Sequence, residues 1–150
     1  MLEVKGNLWT YPAKSIAITT NGFIKRTGEA VMGRGCALEA KKKYPALPGI
    51  IGEHIVKFGN HVFDLGTAAG NKGWSLFTFP VKHNWWEKAD ITLIARSANE
   101  LLNIIDDIYG DKWSVVIPRP GCGNGKLDWE TEVKPVLSGI FDDRFIVITY

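Results

Sequence analysis

IPRPGCGNGKLDW, residues 117–129, decides how this chain is read. Its lead-in, WSVVIP (residues 113–118), has the β-branched character of a core strand and stops at Pro118. Three glycines follow, Gly121, Gly123 and Gly125, and an Asp-Trp pair closes the stretch. A tight turn needs one glycine at most positions that demand it. Successive glycines let a chain expose consecutive N–H groups, which suits an anionic ligand. An irregular loop of ordinary turns is the alternative.

A second glycine loop stands earlier in the chain. SIAITT (residues 15–20) reads as a strand and NGFIKRTGEAVMGRG (residues 21–35) as a loop. CALEAKKKYP (residues 36–45) reads as a helix with Ala37, Ala40 and Tyr44 on its apolar side and Lys41, Lys42 and Lys43 in solvent. Pro45 and Pro48 are expected to stop it. Gly33 and Gly35 therefore precede a helix, where backbone N–H groups and the helix dipole favour a phosphate. Close packing of helix on sheet would account for the same glycines.

The rest of the chain alternates. LEVKG (residues 2–6) is a short first strand and GIIGEHIVKFG (residues 49–59) a helix. HVFDLGTAA (residues 61–69) and WSLFTFP (residues 74–80) are expected as strands joined at the turn GNKG (residues 70–73). Leu93, Ile94, Leu101, Ile104, Ile105 and Ile108 recur at helical spacing, with Asp90 placed to cap the start. A helix after Trp129, starting nearer Thr131 so that Pro135 falls in its first turn, and the strand RFIVITY (residues 144–150) complete the pattern. This predicts one α/β domain over residues 1–150, a three-layer α/β/α sandwich around a central mixed sheet. Ligands bind such sheets beyond the carboxyl ends of the strands, and both glycine loops lie at such ends.

Composition narrows the classes. At 45% hydrophobic and 23% charged residues, the 150-residue chain can bury a core and is not of the disordered class. A net charge of +2 suits a small anionic ligand or a nucleic acid. Cys36 and Cys122, each alone beside glycines, fit a reducing compartment better than a disulfide framework. His54, His61 and His83 follow no metal-ligand spacing, so no metal is expected. No signal peptide or apolar span is evident, so a cytoplasmic location with no membrane contact is expected. No GK[ST] follows GRGCAL, and no GxGxxG follows the first strand. Those absences weaken nucleotide triphosphatase and nicotinamide dehydrogenase readings.

Taken together, KGNLWTYPAKSIAITTNG, VMGRGCALEAKKKYP, FTFPVKHNWW and IPRPGCGNGKLDW resemble the macrodomain, the ADP-ribose-binding fold, over nearly the whole chain. The last two most resemble the antitoxin-type and phage-encoded branch related to enzymes that remove ADP-ribose from DNA. The resemblance implies ADP-ribose or an ADP-ribosyl derivative as ligand, no required cofactor, and ADP-ribosylated DNA or protein as partner. No feature points to an obligate protein partner.

Carried over residue by residue, the resemblance places adenine near Gly6, Asn7 and Leu8. Many macrodomains have an Asp where this chain has Asn7, which can accept a hydrogen bond but carries no charge; a turn cap is its other reading. Gly33, Arg34, Gly35 and Cys36 would line one side of a diphosphate, and Pro120, Gly121, Cys122, Gly123, Asn124 and Gly125 the other. Asn21 would order the distal ribose, although Asn-Gly after a strand is also a common turn. The loop after it, with Lys25, Arg26 and Glu29, is longer than in the antitoxin-type enzymes and would cover the ribose or reach a partner.

Lys82, in the Pro-x-Lys segment, would attack the anomeric carbon or its open-chain aldehyde. That role needs a lowered pKa, to which His83 and Arg34 are candidate contributors. A surface charge after a strand is the plainer reading. Asp128 has two readings, capping that supports its loop or orienting a water or the substrate; related hydrolases place a catalytic acid where this chain has Asn124 or Gly125, which favours capping.

The expected function is thus a hydrolase removing ADP-ribose from DNA or protein. A binding module for ADP-ribose or another NAD-derived metabolite, and a phosphatase acting on ADP-ribose 1″-phosphate, are the alternatives. A nucleic-acid binder using KKKYP and exposed tryptophans is the third class, against a plain solvated helix face.

Overall fold

The structure, a computed structural model, describes residues 1–66 and 75–150. Five strands form one sheet: β1 (Leu2–Lys5), β2 (Ser15–Asn21), β3 (Ser75–Lys82), β4 (Val115–Pro118) and β5 (Phe145–Thr149). Their order is β1-β5-β4-β2-β3, and every pairing between them is parallel. The antiparallel component of the expected mixed sheet is an irregular edge along β3. There Asp64 bridges Phe77, and the Leu65 N–H donates to Leu76 O at 2.9 Å. Residues 61–66 do not form the regular strand read from HVFDLG. The Phe63 N–H donates to the Thr78 hydroxyl at 2.8 Å, and that hydroxyl donates to His61 O at 3.1 Å, so a side chain interrupts the ladder. The turn GNKG and the remainder of that expected strand lie outside the described residues.

Strand alternation splits the core in two. Ala17, Phe77, Phe79, Val115, Ile117, Phe145 and Val147 face a cluster with Ile94, Ala98, Leu101, Val133 and Leu137. Ile16, Ile18, Leu76, Val116, Ile146 and Ile148 face the other, with Ala37, Ala40, Leu47, Ile51 and Ile55. Apolar residues on both faces of a strand are what parallel sheets covered by helices require. The architecture is the three-layer α/β/α sandwich.

On one side lie α1 (Gly35–Lys43) and α2 (Leu47–Phe58). Pro48 does not stop a helix; it stands in the first turn of α2, where a missing N–H costs nothing. On the other side lie α3 (Ile91–Ile104) and α4 (Lys134–Ser138). Asp90 caps α3 by accepting from the Thr92 N–H at 2.9 Å. The helix widens into a π-helical turn, Ile105–Tyr109, which Gly110 ends at φ 84°. A second π turn, Trp129–Val133, leads into α4. The helical turns therefore begin at Trp129, before the expected start near Thr131, and Pro135 falls in the first turn of α4.

Candidate functional site

The carboxyl ends of β2, β4 and β5 open into a cleft of about 870 Å³. Gly33, Arg34, Gly35 and Cys36 line one wall. Gly121, Cys122, Gly123, Asn124 and Gly125 line the facing wall, and Asn21, Lys82, Gly6 and Leu8 also reach it. Asn7 and Pro120 lie outside the lining. Asn7 Oδ1 accepts from the Trp9 N–H at 2.8 Å, so its side chain closes a turn. Pro120 is buried behind the loop.

The amino end of α1 belongs to the first wall, and no side chain caps it. Gly35, at φ +58°, supplies the left-handed backbone that turns the chain into the helix. A Cβ there would lie 3.6 Å from Asn124 Nδ2, so the two loops face each other closely.

The second wall is shaped by hydrogen bonds within the loop. The Leu127 N–H donates to Gly121 O at 2.9 Å, the Lys126 N–H to Gly123 O at 3.1 Å, and the Cys122 N–H to Arg119 O at 3.3 Å. Among the described residues no acceptor meets the N–H groups of Gly123, Asn124 and Gly125. Three consecutive amides without an acceptor among the described residues, on a loop that lines the cleft, are groups of the kind that anion-binding concavities use. Asp128 holds the far end. Its Oδ2 accepts from the Thr131 N–H at 2.8 Å and hydroxyl at 2.7 Å, while its own N–H donates to Glu132 Oε2 at 2.7 Å.

Asn21 and Lys82 meet because the β2–β3 register shifts by one residue between Thr20 and Asn21, which sets Asn21 opposite Lys82. Asn21 Nδ2 donates to Val31 O at 3.1 Å and Oδ1 accepts from the Phe23 N–H at 3.0 Å. Its side chain thereby ties the base of the long loop, which folds as a small hairpin bridged at Ile24 and Ala30. That hairpin rests on α2: the Ala30 N–H donates to Pro48 O at 2.9 Å, and a Cβ on Gly52 would come 1.9 Å from Gly28 O. Phe23, Lys25 and Val31 of the hairpin line the cleft.

The Lys82 ammonium donates to Asn124 O at 3.2 Å and Trp85 O at 3.4 Å. Burial holds its pKa below the ordinary lysine range, and the charges of Arg34 and Lys126 act in the same direction. Of the two contributors read from the sequence, Arg34 is one. His83 is not; its Nε2 lies 2.9 Å from Asp90 Oδ2 instead. Both cleft thiols are suppressed as nucleophiles. Burial raises Cys36, whose sulfur lies 3.3 Å from the Thr19 N–H, and pushes Cys122 up to about 11.

Sequence reasoning missed Glu39, Tyr150, Trp85 and Lys126. Glu39 and Tyr150 line the cleft, as does Trp85, while Lys126 acts on Lys82 by charge. Glu39 was hidden in a run, EAKKK, that reads as solvated helix; its spacing of three from Cys36 was the available signal.

No family model matches the chain. A DNA ADP-ribosyl glycohydrolase of Mycobacterium tuberculosis is 33% identical over 106 residues, covering 67% of this chain and 29% of that protein. The chain thus spans under a third of that relative's length. The macrodomain of Mycobacterium tuberculosis DarG superposes with a TM-score of 0.79 at 24% identity, over 97% of this chain and 94% of that one. Thermosipho africanus DarTG in complex with ADP-ribose gives 0.78 at 18% identity, over 96% of this chain and 40% of that one. The sandwich has the fold of a macrodomain. Within that class the chain is related to the antitoxin-type branch of the DarG and DarTG ADP-ribosyl glycohydrolases.

Proposed function

We propose that the chain binds ADP-ribose between its two glycine loops and hydrolyses ADP-ribosyl bonds to DNA or protein, with Lys82 as nucleophile. The observation that carries this reading is one juxtaposition. Three unpaired amides, Gly123 to Gly125, border the same cleft as an amine of lowered basicity. A diphosphate matches the first feature, and an electrophilic anomeric carbon the second. The shared fold with a DarTG that holds ADP-ribose supports the ligand, and the DNA ADP-ribosyl glycohydrolase relative supports DNA as leaving group. Residues 1–150 act as one domain in this reading, and the free thiols Cys36 and Cys122 fit a cytoplasmic location.

In its neutral form the Lys82 amine has two N–H groups and one lone pair. The carbonyls of Asn124 and Trp85 take the N–H groups, which leaves the lone pair for attack. The ammonium first gives one proton to water. The lone pair then forms a bond to the anomeric carbon. At the anomeric carbon, the bond to the leaving nitrogen or oxygen breaks; that atom keeps the electron pair and takes up a proton. Water finally displaces Lys82 and yields ADP-ribose. Asn21, held by Phe23 and Val31, retains one N–H and one acceptor site for the ribose.

The test is incubation with ADP-ribosylated single-stranded DNA, ADP-ribosylated protein and ADP-ribose 1″-phosphate. Wild type should release ADP-ribose from the first or second, and Lys82→Ala should bind ADP-ribose without releasing it. Phosphate release from the third alone would make the protein a phosphatase. Tight ADP-ribose binding with no release from any would make it a binding module. That second reading has one observation in its favour: the glycine run next to Lys82 carries no acid.

A further inference from the structure

The cleft has unlike ends. Lys82 stands on β3, at one edge of the sheet, whereas Ile148 and Thr149 belong to β5, beyond β2 and β4. At that far end Leu8, Ile148 and Tyr150 line the wall, and among the described residues Glu39 is the one acidic side chain in the lining. Aliphatic and aromatic side chains around one acceptor suit a flat heterocycle bearing an amino group.

Glu39 is held in a defined orientation. Trp9 Nε1 donates to its Oε2 at 2.9 Å, and the Tyr150 hydroxyl donates to the same oxygen at 3.4 Å. Among the described residues no donor meets Oε1. Asn7 lies outside the lining of the cleft, and its oxygen accepts from the Trp9 N–H. The same tryptophan thus turns Asn7 away from the cleft and clamps Glu39 at it.

We propose that Glu39 reads the base of the bound nucleotide: its free Oε1 accepts the 6-amino group of adenine. This rests on the ADP-ribose reading above and assigns a specificity-determining residue to it. A carboxylate only accepts hydrogen bonds. It therefore favours a 6-amino purine over a 6-oxo purine, whose oxygen it would repel.

Calorimetric titration with ADP-ribose and with its hypoxanthine counterpart, inosine diphosphate ribose, tests the assignment. Wild type should prefer ADP-ribose by about tenfold, the cost of facing a half-buried acceptor with an acceptor. Glu39→Gln should invert the preference. Trp9 Nε1 fixes the amide oxygen where Oε2 was, so the amide NH₂ faces the base, matching a 6-oxo group and opposing an amino group. Adding Trp9→Phe to Glu39→Gln frees the amide to rotate and should narrow the inverted ratio.

A wild-type protein without preference between the two compounds overturns the assignment, whatever the variants do. So does a Glu39→Gln variant that folds, binds ADP-ribose as tightly as wild type and keeps its ratio. In both cases ADP-ribose still binds and the ligand reading stands. Wild-type protein that binds neither compound overturns the ligand reading and the assignment together.

Discussion

In the loop after β4, a Cβ on Gly121 would lie 2.8 Å from Ile94 Cδ1, and one on Gly125 would lie 2.5 Å from Gly121 O. Across the cleft, a Cβ on Gly33 would meet nothing within 4 Å. Gly123 is also open, although it sits between the two crowded glycines. The two loops thus contain glycine for separate reasons. At Gly121 and Gly125 the backbone is pressed against the core under α3, and a side chain has no room. At Gly33 and Gly123 the missing side chain leaves the wall of the cleft bare, which brings amides within reach of a ligand. Each loop also contributes a cation that acts on Lys82: Arg34 from one, Lys126 from the other.

The sharpest way to break this comparison is Gly125→Ala. Its new methyl would meet a backbone oxygen and Ala89 Cβ at 2.7 Å, so overpacking should cost about 3 kcal/mol and abolish binding as the loop shifts. Chemical denaturation measures the first and calorimetry the second; a stability equal to wild type would show that the loop is not wedged. Gly123→Val is the counterpart. Stability should stay within about 0.5 kcal/mol of wild type while ADP-ribose affinity falls at least about tenfold. Equal affinity would mean that this amide does not face the ligand. Gly35→Ala lies between, with about 1 kcal/mol lost to its left-handed backbone and no steric clash. An unchanged denaturation midpoint would place the strain elsewhere.

The smallest effect concerns the two cations. If the neutral Lys82 amine is the reacting form, the rate of ADP-ribose release rises with pH through an inflection below the ordinary lysine value of 10.5. Removing a neighbouring positive charge relieves pressure on the ammonium, so Arg34→Ala and Lys126→Ala should both move the inflection upward. Arg34→Ala should move it further, since Arg34 is the stronger of the two influences. A downward shift in a pH-rate profile would reverse the assigned electrostatics.

Much of the fold was legible because it is local. SIAITT and FIVIT are rich in β-branched residues, as buried parallel strands are, and the Asp90 cap placed the start of α3 to within a residue, while its periodicity ran on through the π turn to Tyr109. Pro48 was misread because a proline that ends one helix and one that begins the next look alike in sequence. HVFDLG has strand composition, but the Thr78 hydroxyl displaces its ladder bond, a contact between residues fifteen apart.

The site was legible as two glycine loops but not as a geometry. Asn21 stands opposite Lys82 only through the register shift beside Thr20. Glu39 becomes a cleft residue only because Trp9 Nε1, thirty positions away, holds its carboxylate. By itself the sequence determined the alternation of strands and helices and the two places where amides gather, since hydrophobic period and glycine content act over a few residues. Tertiary structure alone decided which glycines are crowded, which cations act on Lys82 and which carboxylate faces the ligand, because steric contact and Coulomb energy depend on distances in space.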